Sequence, residues 1–168
     1  MNYHIPENLP IEFLNSIGIQ SIDSVLIDVV NGGEKTQCYN NVRKYLEINN
    51  GEVQFGWIFS KLGNVVLKLH AHAVVKLADG SLVCVTPPES GLSEILFAPD
   101  NSVLSLIVND RLPTKAYALV DEKVVQEFVK LENLESKMRL DGNQLAIAYI
   151  AQEKFKLSSR LIQAVDRY

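Results

Sequence analysis

Cys38, His70, His72 and Cys84 are the side chains in this sequence whose types and spacing best suit chemistry. Two thiols and two imidazoles admit three arrangements. A thiolate beside an imidazole is a nucleophile with its general base. All four converging on one point can complete a zinc tetrahedron. Dispersed through a core, they are small apolar fillers and hydrogen-bonded structural histidines. Spacing separates these readings only in part. No Cys-x-x-Cys or His-x-x-x-His pair occurs, so a local metal chelate has weak support. His70 and His72 alternate along a β-type run and therefore share one strand face. Cys38 opens a helical pattern, where unpaired backbone N–H groups and the helix dipole favour a thiolate. Its backbone N–H there could meet a developing oxyanion. Cys38 also recurs with Val42 and Leu46 at i, i+4 and i+8, which is how a helix fills a core.

The elements that must position these residues follow from periodicity and punctuation. Pro10 to Gly18 reads as a short helix, and Ser24 to Val30 as a strand. Asn31-Gly32-Gly33-Glu34-Lys35 is a loop by composition; its glycines would let a substrate carbonyl approach. Thr36 is then the expected N-cap of a helix from Gln37 to Ile48, stopped by Asn49-Asn50-Gly51. Val53 to Phe59 and Val65 to Leu77 are expected strands, and Asp79-Gly80 a hairpin turn leading into a strand from Leu82 to Thr86. Register matters here. A two-residue turn puts Cys84 on the face opposite His72; a bulge or three-residue turn brings them together. Ile95 to Ala98 and Val103 to Val108 read as further short strands. From Asp121 the pattern is helical, with Val124, Val125, Phe128, Leu131, Leu134 and Met138 as an apolar stripe and one or two helices over 143–168. Trp57, Leu67, Leu69, Val74, Val83 and Val85 are expected interior residues. No linker or repeat interrupts the chain, which reads as one domain over 1–168 with 121–168 as a helical extension.

Composition narrows the function classes. With 168 residues and 47% hydrophobic content the chain can build a true core. Acidic residues number 20 against 16 basic ones, and no basic stripe is present, so phosphate-backbone recognition is a poor fit and no nucleic-acid partner is expected. No run approaches the roughly 20 apolar residues that span a bilayer, so no membrane partner is expected. The start, Met1-Asn2-Tyr3-His4-Ile5-Pro6-Glu7, lacks the basic and apolar parts of a secretion signal; reduced thiols in a cytoplasm are the expectation. Phosphate-loop, dinucleotide, nucleophile-elbow and His-Glu-x-x-His motifs do not occur, and no cofactor is implied.

The order of parts carries a resemblance. Thr36-Gln37-Cys38-Tyr39-Asn40-Asn41-Val42 opens a helix, and Phe55-Gly56-Trp57 lies on the next strand. His70-Ala71-His72-Ala73-Val74-Val75 then runs through Asp79-Gly80 into Leu82-Val83-Cys84-Val85-Thr86-Pro87. Over about residues 36–87 this resembles the core of papain-like cysteine hydrolases, the broad group with transglutaminase-like and NlpC/P60-like proteins. It is closest to compact bacterial members with a Cys-x-x-Asn-Val helix start, a Gly-Trp strand and a His-Ala-Val strand. The resemblance implies an α+β, papain-like core: a Cys-bearing helix packed on an antiparallel sheet, with the helical tail added. It implies Cys38 as nucleophile and His72 as general base in acyl transfer on a peptide or other amide. His70 becomes an extra pocket group, and Gln37 a potential oxyanion donor beside Cys38. Departure comes at the third position, where the pattern wants Asp or another acceptor and Cys84 stands. A neutral thiol orients an imidazole poorly. Three explanations stay open: another residue such as Gln54, Asn64 or Thr86 takes the role, the site runs as a Cys-His dyad, or catalysis is lost and a cleft binds a peptide or partner. The zinc site from Cys38, His70, His72 and Cys84 is a further alternative.

Overall fold

The computed structural model of the protein describes residues 2–88 and 91–168. Its elements run α1 (Ile11–Ser16), β1 (Asp23–Ile27), α2 (Cys38–Leu46), β2 (Glu52–Leu62), β3 (Val66–Lys76), β4 (Leu82–Cys84), β5 (Glu94–Pro99), a 3-10 helix (Asn101–Leu106), β6 (Thr114–Ala118), α3 (Lys123–Leu140) and α4 (Gln144–Arg167). The class is α+β. Strands in the order β2-β5-β1-β4-β3, with β2 also paired to β3, close a five-stranded barrel. The sheet is not purely antiparallel as expected, because β1 pairs parallel with β4, Leu26 opposite Val83 and Ile27 opposite Cys84.

One further strand expectation is corrected. Residues 103–108 do not form a strand; most lie in the 3-10 helix, where only Val103 is buried. Asp100 starts that turn by accepting the Ser102 N–H through Oδ1, which favours a tight helical turn over an extended run. The sixth strand lies instead at β6, whose weak sequence signal, Thr-Lys-Ala-Tyr-Ala, mixes one apolar position among polar and small ones. Between them, Asn109 and Asp110 both take positive φ, as a two-residue hairpin turn joining Val108 to Arg111 requires.

The chain divides into two compact units. One comprises Gly18–Ile58 and Ala71–Ser105. Its core includes Val25, Val74, Cys84 and Phe97, with Ile27, Ile58, Leu82 and Ile95 packed on them. Trp57 and Val85 are buried here as expected, whereas Val83 is only half-buried, since it lies on the other face of β4 from Cys84. Gly56 is dictated by close packing. A Cβ there would lie 2.2 Å from the Ala98 carbonyl oxygen and 2.5 Å from Phe97 Cζ.

The other unit comprises Met1–Ile17, Phe59–His70 and Leu106–Tyr168. Here β6 pairs antiparallel with the start of β3, from Val66 opposite Ala118 to His70 opposite Thr114. Its core joins Leu62, Val65 and Val66 to Val124, Val125 and Phe128 of α3 and Leu157, Leu161 and Ala164 of α4. The inward stripe of α3 departs from the expected one after Phe128. Leu134 is exposed, and the buried positions are Glu132 and Ser136. The i+4 spacing from Phe128 continues, but the side chains become polar. Glu132 is ion-paired to both Lys68 and Lys154, and Ser136 accepts the Thr114 N–H at 2.9 Å. Burial pushes the Glu132 carboxyl up, and the hydrogen bonds and charges of Lys154 and Lys68 outweigh it, holding the group below its ordinary value.

Candidate thiol–imidazole site

The loop before α2 aims the first thiol. Thr36, expected as the N-cap, instead sits at φ +63°, a left-handed conformation that is costly for a β-branched residue. The cap is Gln37, which makes no side-chain capping bond; its Oε1 accepts from Asn40 Nδ2 at 3.0 Å and the residue is exposed. Gln37 therefore faces solvent. The strained turn is held by Asn41, which is fully buried. Its Oδ1 accepts the Glu34 N–H at 2.9 Å, and its Nδ2 donates to the Glu34 carbonyl at 2.7 Å and to Thr86 Oγ1 at 3.2 Å. Lys44 adds a bond to the Gly32 carbonyl at 3.0 Å. Asn41 escaped the sequence reading as a positioning residue. Its one signal was the Cys-x-x-Asn-Val spacing, and an Asn inside a helix ordinarily reads as surface.

Cys38 is the first residue of α2 and is 7% exposed. Burial pushes its thiol up to about 11, although the backbone N–H groups of Ala73, Tyr39 and Cys38 itself favour the thiolate. Proximity to Cys84 opposes ionisation further. The backbone donors at the helix start favour the thiolate, and desolvation outweighs them.

His72 and Cys84 are brought together by a loop with an odd number of residues. Val75 pairs with Val83 and Lys76 with Leu82, leaving Leu77 to Ser81, five residues, to turn the chain. Asp79 Oδ1 accepts from the Ser81 N–H and hydroxyl, and Gly80 takes φ +86°. This register puts His72 and Cys84 on the same face, offset by two residues. His72 Nε2 and Cys84 Sγ share a hydrogen bond at 3.3 Å, with both residues buried and the imidazole in a T-shaped pairing with Phe97 at 6.5 Å between ring centroids. Burial also pushes the Cys84 thiol up and outweighs a backbone hydrogen bond from Thr86 that favours the thiolate; Sγ–H in turn donates weakly to the Thr86 carbonyl at 3.9 Å.

The remaining residues weighed from sequence have other commitments. Thr86 Oγ1 is engaged by Asn41. Gln54 Nε2 donates to the Phe55 carbonyl and to Asn101 Oδ1. Asn64 bonds Lys61 and the Tyr168 carbonyl. His70, in the other unit, shares a 2.7 Å hydrogen bond with Ser60, and burial pushes its imidazole down to about 4. Among the described residues no group of three or more His, Cys, Asp and Glu side chains is disposed to hold a metal ion. The geometry thus does not carry the zinc alternative.

Both cysteines are free thiols. Among the described residues, no helix is long and apolar enough to cross a membrane. Compared with family models, curated proteins and solved structures, the chain matches none of them.

Proposed function

We propose that this chain is a catalytically silent relative of the papain-like thiol hydrolases, a domain that binds a peptide or partner and does not cleave it. The observation carrying this reading is the burial of Cys38, 7% exposed at the head of α2, which pushes the thiol up to about 11. An acyl-transfer nucleophile works as a thiolate at neutral pH, and burial here opposes that form. The residue at the third position supports the same conclusion. Where the family pattern wants a charged or strong acceptor, the imidazole has a neutral, buried sulfur at 3.3 Å. Cys84 packs with Val25, Val74 and Phe97, the surroundings of a core residue.

A second reading, a cysteine hydrolase of Cys-His type, is favoured by one observation: Cys38 heads α2, and the Ala73 backbone next to His72 bonds its sulfur. An irreversible thiol probe separates the two. The folded protein is incubated with a chloroacetamide at neutral pH, and adducts on Cys38 and Cys84 are quantified by mass spectrometry. The silent reading expects Cys38 to react more slowly than a free cysteine peptide. Labelling of Cys38 faster than that peptide would replace it with the hydrolase reading.

A further inference from the structure

The outer face of α4 carries large apolar side chains open to solvent. This 24-residue helix buries Ile150, Leu157, Leu161 and Ala164 within its own unit. On the opposite side, Leu145, Ala148, Gln152, Phe155, Ser159 and Ile162 recur at spacings of three and four residues, and every one is exposed. That is heptad spacing turned to solvent, with Leu145, Phe155 and Ile162 as its large apolar positions and Ala148, Gln152 and Ser159 between them. Leu145 is 86% exposed and Phe155 79%, with Tyr149 alongside at 62%. Together with Ile162 these side chains present apolar surface on the order of 500 Å², at the upper end of what monomers leave open.

We propose that this face is the interface of a homodimer, formed by two α4 helices packed antiparallel. The sequence of the seam is self-complementary in that direction. When Gln152 lies opposite Phe155 of the second copy, Ala148 falls opposite its Ser159 and Leu145 opposite its Ile162. Each outer layer then joins two large aliphatic side chains, the layers inside it join two small ones, and the two central layers set Gln152 against Phe155. A parallel pairing would stack Phe155 on Phe155 between layers of Ser159 and Gln152, and would align the two helix dipoles. Duplicating the exposed seam gives an interface on the order of 1,000 Å², the lower limit for a specific association, so a reversible dimer of micromolar affinity fits.

The test uses the full chain in sedimentation velocity from about 1 to about 300 µM, a range that brackets such an affinity. The weight-average mass is expected to rise from 18.8 kDa toward twice that value with concentration. F155K and L145E should each hold the chain at monomer mass. Circular dichroism checks their fold, and both sites face solvent. Register is read by mixing an L145C chain with an I162C chain under oxidised glutathione and mapping disulfides by mass spectrometry. A disulfide that joins the L145C chain to the I162C chain through the two introduced thiols supports the antiparallel dimer. A cross-link between two L145C copies would overturn the register. Monomer mass throughout the range, or unchanged association in both F155K and L145E, would overturn the interface itself.

Discussion

The alkylation rate of Cys38 as a function of pH gives the sharpest access to the site. Its thiol is pushed up to about 11, against an unperturbed thiol value near 8.5. At pH 7.5 a free cysteine is roughly a tenth thiolate, whereas a group at 11 is thiolate to only a few parts in ten thousand, a deficit of more than ~100-fold. Steric shielding adds to this, because the residue is 7% exposed. The expected profile is a rate that keeps climbing tenfold per pH unit through pH 9 and bends only near 11. Alkylation with iodoacetamide in a quenched-flow or manual series, resolved by peptide mass, measures it, with denatured protein as the reference. Stability is linked to the same group. The folded protein holds the thiol proton more tightly than the unfolded chain, so this contribution is complete below about 8.5 and is lost as pH rises through 11. A Cys38 rate that levels off below pH 8 would refute the desolvation argument and the silent-domain reading built on it.

Other perturbations probe the supports. Asn41→Ala removes the partner of the Glu34 N–H and carbonyl and of the Thr86 hydroxyl, and should cost about 2–4 kcal/mol in urea unfolding. It should also speed Cys38 alkylation, and an unchanged midpoint would show that the loop is held by other means. Gly56→Ala places a methyl 2.2 Å from the Ala98 carbonyl, so a loss above ~3 kcal/mol, or failure to fold, is expected. Near-native melting would mean the β2–β5 pairing can open to admit it. Glu132→Gln leaves Lys68 without its buried counter-charge, whereas Lys154 keeps Glu135 at 2.7 Å; it should cost about 3 kcal/mol by the same assay, with restoration of part of it in an E132Q/K68M double variant. For His70, burial pushes the imidazole down to about 4, so its contribution is present above about 6.5 and disappears as pH falls toward 4. A His70→Asn variant should therefore show a flatter stability curve across that range, and an identical slope would exclude His70 as the source.

The sequence alone determined much of the local structure, because local rules need only nearby residues. Pro10 and Gly18 bracket α1, the Cys38–Val42 spacing marks the buried face of α2, and Asp79-Gly80 marks the turn after β3. The helical C-terminal region follows from its periodicity, and its expected start at Asn143 is where the structure caps α4, through the Ala146 N–H. What depended on distant partners was not legible. Thr36 reads as a cap from its neighbours, yet Asn41 and Thr86 stabilise a left-handed turn there. Val103–Val108 reads as a strand, and the Asp100 side chain winds its start into a 3-10 helix. The stripe of α3 continues into Glu132 because Lys68 and Lys154 arrive from elsewhere in the chain. The meeting of His72 with Cys84 turned on whether the β3–β4 loop held an even or odd number of residues, which single-residue turn signals do not fix. The ionisation of Cys38 was decided last. Its place at a helix start is written in the sequence, but the desolvation that overrides it belongs to the packed tertiary structure, since a dielectric environment is made by every residue that excludes water.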